Sequence, residues 1–99
     1  MPKGYLIANI AVKDMEKYQP YRDQAPAIVK KFGGRYIVRG GDLQKREGNI
    51  EPKLMAFLEF PSYQAAQDFY DSPEYQEIIG IRHEQTDSDV ILVEGSDGP

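Results

Sequence analysis

The chain has 99 residues, of which 40% are apolar and 28% are charged, ordinary values for one globular domain that exclude a wholly disordered chain. The formal net charge is -4, so nucleic-acid binding is disfavoured. The absence of cysteine excludes disulfides, thiolate metal sites and cysteine nucleophiles, and it favours a reducing compartment. No apolar run approaches the roughly 18 residues of a membrane span, and the start of the chain lacks the layout of a signal peptide. We therefore expect a cytoplasmic protein with no nucleic-acid partner and no membrane partner.

The chain opens with a predicted strand followed by a predicted helix. Residues 5–12 form a short apolar run with β-branched side chains, which is typical of a strand buried on both faces. Asp14 is a suitable N-cap, and apolar residues then recur at spacings of three and four over residues 15–32. Pro20 and Pro26 fall inside this pattern. Because each proline lacks a backbone donor and crowds the preceding turn, we expect a kink or a restart of the helix.

The middle of the chain predicts a β-hairpin. Residues 35–39 have the composition of a second strand, and residues 54–60 that of a third. The polar stretch 42–52 between them predicts a loop of about ten residues, or strand extensions around a shorter turn.

The second helical region is predicted to be broken in two. Ser62 is a suitable N-cap for the first piece, and Ser72 with Pro73 at the first helical position begins the second piece. The inward stripe of the second piece is predicted to contain Tyr75, Ile78, Ile79, Arg82 and Thr86.

Residues 89–94 are the last predicted strand, which completes the order β-α-β-β-α-β. This is an α+β fold of the ferredoxin-like type, an antiparallel four-stranded sheet in the order 4-1-3-2 with helices on one face. We expect a single domain over residues 1–95, followed by a flexible tail at 96–99.

The strands are apolar on both faces, although an antiparallel sheet with one helical layer should be polar on its other face. Monomers rarely expose such a patch. We therefore expect a homodimer in which two sheets pack face to face. The alternative is that the 42–52 loop or the tail covers the second face.

Several short stretches, taken together, resemble one known family: Gly4-Tyr5, residues 14–21, 32–41, 47–48, 59–62, 70–76, Arg82 and 93–95. They are similar to the domain of unknown function 1330 (DUF1330) family of the dimeric α/β-barrel superfamily. The resemblance implies a ferredoxin-like fold and a sheet-to-sheet dimer, but the family has no settled activity. The superfamily includes cofactor-independent monooxygenases, isomerases, haem-degrading or haem peroxidase enzymes and plain ligand binders, and fold alone does not choose among them.

Three charged residues are candidates for a binding site. Arg35 and Arg39 are four apart, so a regular strand places them on one face. If the hairpin is centred near Gly48, Arg39 lies opposite Phe57 and Glu59 lies opposite Ile37, which brings both arginines and Glu59 to one side. Arg39 would then hold a carboxylate or an enolate, with Glu59 as a base or an orienting group. The alternative is a structural ion pair near the sheet edge.

Other polar residues are weaker candidates. Asn9, in the middle of a strand, either orients a ligand carbonyl or bonds to the dimer mate or a buried water. Arg82 continues the inward stripe of its helix, whereas His83 is expected to be exposed, with a haem ligand as the alternative. We expect no metal site and no cofactor. Four tyrosines are predicted to face the sheet, either as core residues or as the lining of a pocket: Tyr18, Tyr21, Tyr70 and Tyr75.

The sequence thus favours a small homodimer with a pocket between sheet and helices for an anionic or phenolic organic molecule, with cofactor-independent chemistry of a monooxygenase or isomerase kind. The alternative is a non-catalytic ligand-binding or interaction module. No catalytic residue is identified. The ligand-binding candidates are Asn9, Arg35, Arg39, Glu59, Tyr70 and Arg82.

Overall fold

The structure, a computed structural model, describes residues 2–97. Its element order confirms the predicted β-α-β-β-α-β arrangement with a divided second helix. The elements are β1 (Gly4–Val12), α1 (Met15–Lys31), β2 (Arg35–Arg39), β3 (Leu54–Phe60), α2 (Tyr63–Asp71), α3 (Pro73–Gln85) and β4 (Thr86–Glu94).

The four strands form one antiparallel sheet in the order β2-β3-β1-β4, which is the predicted order. β1 lies at the centre and pairs along its length with both neighbours. Ala8, for example, lies opposite Ala56 of β3 on one side and Val90 of β4 on the other. Because side chains alternate along a strand, this register divides the sheet into an inner face toward the helices and an outer face.

The core lies between the inner face and the helices. The inward residues of β1 and β3 are buried beneath α1, α2 and α3. On the helix side the buried stripe of α3 holds the predicted Tyr75, Ile78, Ile79 and Arg82. The buried apolar core consists of Leu6, Ala8, Ile10, Tyr18, Ala25, Val29, Ala56, Leu58, Phe60, Ala66, Phe69, Tyr75, Ile78 and Ile79.

Each helix begins at the predicted cap. The Asp14 carboxylate accepts a hydrogen bond from the backbone N–H of Lys17 at 3.1 Å. Ser62 and Ser72 cap α2 and α3 in the same way, three residues before their donors. These caps satisfy backbone donors that have no partner within the helix.

Pro20 and Pro26 both lie inside α1, which continues as one helix with buried residues on both sides of each proline, so the restart given as one option does not occur. The prediction that Thr86 continues α3 was wrong. The helix ends at Gln85, and Thr86 starts β4, where its hydroxyl donates to the carbonyl oxygen of Arg82 at 2.6 Å. The hydroxyl thus gives a hydrogen bond to one of the carbonyl oxygens that lack a partner at the C-terminal end of α3.

The outer face is apolar and uncovered in the monomer. Four side chains are successive partners across the sheet and form the outer-face row: Val38, Phe57, Ile7 and Ile91. Ile91 is 58% exposed. The loop between β2 and β3 is exposed from residue 40 to residue 51. Residues 98–99 of the predicted tail lie outside the described residues.

Two glycines on different elements provide a stability test. An added Cβ on Gly4 lies 2.4 Å from the carbonyl oxygen of Ser62, whereas one on Gly80 meets nothing within 4 Å. We expect Gly4→Ala to lower the free energy of unfolding by about 1–3 kcal/mol, since backbone atoms must move apart. Gly80→Ala is expected to raise it by about 0.5–1 kcal/mol through helix propensity. Urea denaturation measures both, and a neutral Gly4→Ala variant would contradict the close packing of β1 on the start of α2.

Candidate functional site

A cavity of about 80 Å³ lies between the inner face of the sheet and helices α1 and α3. At roughly 10–15 Å³ for each water, this volume holds several waters or a small organic molecule. Its sheet side is apolar, and small side chains make the space: Ala8 and Ala56 are direct partners in the sheet, and Ala25 lines the cavity from α1. The lining residues are Leu6, Ala8, Ile10, Tyr18, Tyr21, Arg22, Ala25, Val29, Tyr36, Arg39, Leu54, Ala56, Leu58, Phe69, Tyr75, Arg82 and Val90.

The tyrosines of the cavity form a connected group. Tyr18 and Tyr21 stack with ring centroids 5.2 Å apart, and the hydroxyl oxygens of Tyr21 and Tyr75 are 2.6 Å apart. Burial raises the pKa of Tyr18 to about 12. Burial, with the neighbouring Tyr75 phenol, raises the pKa of Tyr21 well above its ordinary value. Both phenols are therefore neutral near pH 7, and they act as hydrogen-bonding groups rather than as bases.

Arg82 is the buried cation of the site, with 3% of its surface exposed. Its Nη1 donates to Ser88 Oγ at 2.6 Å, and its Nη2 donates to Tyr70 Oη at 3.4 Å. Its Nε is buried and has no hydrogen-bond partner among the described residues. Burial acts to lower the pKa of Arg82, but the phenols of Tyr75 and Tyr21 outweigh it and the net pKa is raised.

Two further arginines line the cavity nearer solvent. The guanidinium of Arg39 lies 4.4 Å from the ring centroid of Tyr36, which is a cation–π contact. Arg22 of α1 donates to Met15 Sδ at 3.4 Å. Among residues 2–97 the cavity lining contains three arginines and no aspartate or glutamate. The lining therefore carries a net positive charge.

The predicted grouping of Arg35, Arg39 and Glu59 was wrong. Glu59 lies opposite Arg35, and Arg39 lies opposite Ala56 rather than Phe57. The cause is an irregularity in the β2–β3 register between Tyr36 and Val38, which inserts one residue and reverses the alternation beyond it. Arg39 consequently faces the cavity, while Arg35 and Glu59 lie on the outer face.

On the outer face, Glu59 is fully engaged. Its Oε1 accepts from Arg35 Nε at 3.1 Å, and its Oε2 accepts from the Tyr5 hydroxyl at 3.1 Å. Burial alone would raise the pKa of Glu59, but the hydrogen bonds from Arg35 and Tyr5 outweigh it and the net pKa is lowered. This carboxylate is therefore ionised and held in an ion pair, which agrees with the structural alternative for the two residues.

Asn9 also lies on the outer face, and the loop uses its side chain. Its Nδ2 donates to the carbonyl oxygen of Glu51 at 3.0 Å, and its Oδ1 accepts from the backbone N–H of Lys53 at 2.8 Å. The amide thereby fastens the end of the β2–β3 loop to β1. His83 is exposed on α3, as predicted.

The structure thus brings Arg82 and Tyr70 together on the inner side of the sheet, where Arg39 also lines the cavity. Asn9, Arg35 and Glu59 lie on the outer face instead. Sequence reasoning did not single out Tyr36, Ser88 or the pair Ala8–Ala56. Tyr36 had no usable signal, because a regular strand places it on the face opposite Arg39. Ser88 had none, since the predicted strand began one residue after it.

No cluster of three or more histidine, cysteine, aspartate or glutamate side chains suited to a metal ion occurs within residues 2–97. Over the same residues, no helix is long and apolar enough to cross a membrane.

Solved structures share this fold at low sequence identity. The RPA0582 protein of unknown function from Rhodopseudomonas palustris is 15% identical, with a TM-score of 0.75 over 98% of this chain and 85% of that one. SnoaB, a cofactor-independent oxygenase from Streptomyces nogalater, is 9% identical, with a TM-score of 0.68 over 99% and 97%. An antibiotic biosynthesis monooxygenase is 14% identical, with a TM-score of 0.60 over 100% of both chains. A comparison with curated proteins gives no match.

These similarities establish the ferredoxin-like fold and leave the reaction undefined. The family comparison covers almost the whole chain, since the sequence model described as "Domain of unknown function (DUF1330)" matches residues 3–96. The predicted family is confirmed: the chain belongs to the DUF1330 family, whose function is unknown.

Proposed function

We propose that the protein binds a small anionic or phenolic organic molecule in the cavity between the sheet and the helices. The observation that carries this proposal is the lining, which combines three arginines with four tyrosines and, within the described residues, no acidic side chain. Buried or half-buried cations without a counter-ion are costly, so an anion that enters the cavity gains their electrostatic attraction. The apolar sheet side of the cavity supplies a surface for the carbon skeleton of such a molecule.

A thermal-shift and calorimetric screen of carboxylates and phenols tests the proposal. A ligand that binds the folded state raises the melting temperature, and the shift increases with its concentration and its affinity. We expect Arg39→Gln to weaken binding roughly threefold, because it removes one of the three positive charges in the cavity lining that attract the anion. Arg46→Gln is the matched control, since Arg46 is exposed in the loop and does not line the cavity. A screen without a binder, or equal binding by wild type and Arg39→Gln, would overturn the anion pocket that we propose.

A second candidate function is cofactor-independent chemistry of a monooxygenase or isomerase kind. Two observations favour it: the fold is shared with a protein described as a cofactor-independent oxygenase, and the cavity offers phenol and guanidinium donors that suit an enolate or phenolate oxygen. Within the described residues the lining has no Asp, Glu, His, Cys or Lys to act as a base near pH 7. The chemistry would therefore favour substrates that ionise readily.

Oxygen uptake with readily ionised polyphenols or 1,3-diketones separates this candidate from the non-catalytic module. An oxygenase is expected to consume oxygen above the buffer rate, and Arg82→Lys should lower that rate while Arg46→Gln leaves it unchanged. Isomerisation would instead change the substrate spectrum without oxygen uptake. If compounds bind without either change, the non-catalytic ligand-binding module is favoured.

We also propose that two copies of the protein associate through their outer faces. The outer-face row crosses all four strands, and its member Ile91 is 58% exposed. A second sheet packed against the row would remove a continuous apolar surface from water. The Arg35–Glu59 pair and Tyr5 lie beside the row, where they would form a polar border.

Light scattering at micromolar concentration tests this association. Wild type is expected to have twice the chain mass of 11.3 kDa. Ile91→Asp should shift the protein to the monomer, because it places a charge on the most exposed member of the apolar row. Met15→Asp is the control, since Met15 is 44% exposed but lies on α1. A wild-type mass near 11.3 kDa would overturn the proposal.

A further inference from the structure

The two ends of the cavity differ in a way that orients a ligand. Arg82 bonds to Ser88 of β4, whereas Arg39 belongs to β2 at the opposite edge of the sheet. Three strand spacings separate these edges, about 14 Å at 4.8 Å for each spacing. Arg82 is 3% exposed, and Arg39 is exposed. The cavity therefore has a deep cationic end at β4 and an open cationic end at β2.

The deep end has an unused donor. The Nε of Arg82 is buried and has no hydrogen-bond partner among residues 2–97. No carboxylate within these residues pairs with its guanidinium. Buried polar groups normally have a hydrogen-bond partner, so a buried N–H without one points to a partner such as a bound ligand or a water. A guanidinium presents its donors in a planar fork that matches a carboxylate. Ser88 and Tyr70 hold this fork in place, so little side-chain freedom is lost when an anion binds.

The middle of the cavity fits an apolar body. Ala8 and Ala56 lie side by side on the inner face, between the larger pairs Leu6–Leu58 and Ile10–Leu54. The two alanines leave a depression in the inner face of the sheet. The stacked rings of Tyr18 and Tyr21 border the same cavity. Aromatic side chains favour stacked or edge contacts with a ring. The shape and lining thus suit a small planar ring better than a branched or strongly polar molecule.

We infer that the cavity takes small aromatic carboxylates head first, with the carboxylate on the Arg82 guanidinium and the ring over the Ala8–Ala56 pair. This inference rests on the proposed anion-binding function and names its ligand class and its orientation. Arg39 at the open end contributes general attraction, whereas Arg82 recognises the acid group.

Benzoate, benzamide and acetate are the probes. In calorimetry, wild type is expected to bind benzoate at least tenfold more tightly than benzamide, which has the same shape without the charge. In nuclear magnetic resonance, benzoate is expected to shift the Nε–H signal of Arg82 more than that of Arg39. Arg82→Lys, which keeps the charge but loses the fork, should weaken benzoate binding at least tenfold. If that variant fails to fold, the wild-type spectrum alone shows whether benzoate contacts Arg82 or Arg39.

Ala56→Val tests the position of the ring, because it adds two methyl groups to the floor of the cavity. We expect it to weaken benzoate at least tenfold while changing acetate less than threefold. Equal weakening of both probes, or none, would overturn the placement of the ring. If benzoate binds but moves only the Arg39 signal, the orientation is wrong and the anion pocket stands. If only phenols bind wild type, this inference falls and the proposed function stands. If neither carboxylates nor phenols bind wild type, both proposals fall.

Discussion

The pairing of β1 with both β3 and β4 is the constraint on which the rest of the structure depends. Because β1 is central and regular, its even-numbered side chains from Leu6 to Ile10 face the helices, and its odd-numbered ones face outward. The partners on β3 and β4 inherit the same division. The sheet therefore has two separate surfaces, a packed inner face that contains the cavity and an apolar outer face that no helix covers.

The irregularity in β2 then decides which charges belong to which surface. Arg35 precedes it and pairs with Glu59 on the outer face, whereas Arg39 follows it and lines the cavity. One inserted residue thus places Arg35 beside an acidic partner on the outer face and Arg39 in a cavity lining that contains no acidic residue. The charge of Arg35 is compensated by Glu59, whereas the charge of Arg39 adds to the positive charge of the cavity lining. The two arginines therefore have different consequences although they are only four positions apart.

The fold was largely predictable, because its signals are local. Serine and aspartate caps, prolines at helix starts and apolar runs are properties of a few neighbouring residues, and the order β-α-β-β-α-β with its strand order followed from them. The site was less predictable, since it depends on register. Period-two alternation cannot reveal an inserted residue in β2, and Ser88 became visible only when Thr86 proved to start β4 rather than to continue α3. Arg82 was found because helical spacing placed it in a buried stripe.

The electrostatics of the cavity favour binding over proton transfer by the protein. The pKa of Tyr18 and that of Tyr21 are raised by burial, and arginine remains protonated, so these residues donate hydrogen bonds near neutral pH and do not remove protons. Glu59 is ionised, but it lies on the outer face in a pair with Arg35. Any reaction in the cavity would thus have to draw its basicity from the bound molecule, and the fixed cations would act by stabilising negative charge on that molecule. The ligands that we propose for such a site are therefore molecules that are already anionic or that lose a proton readily.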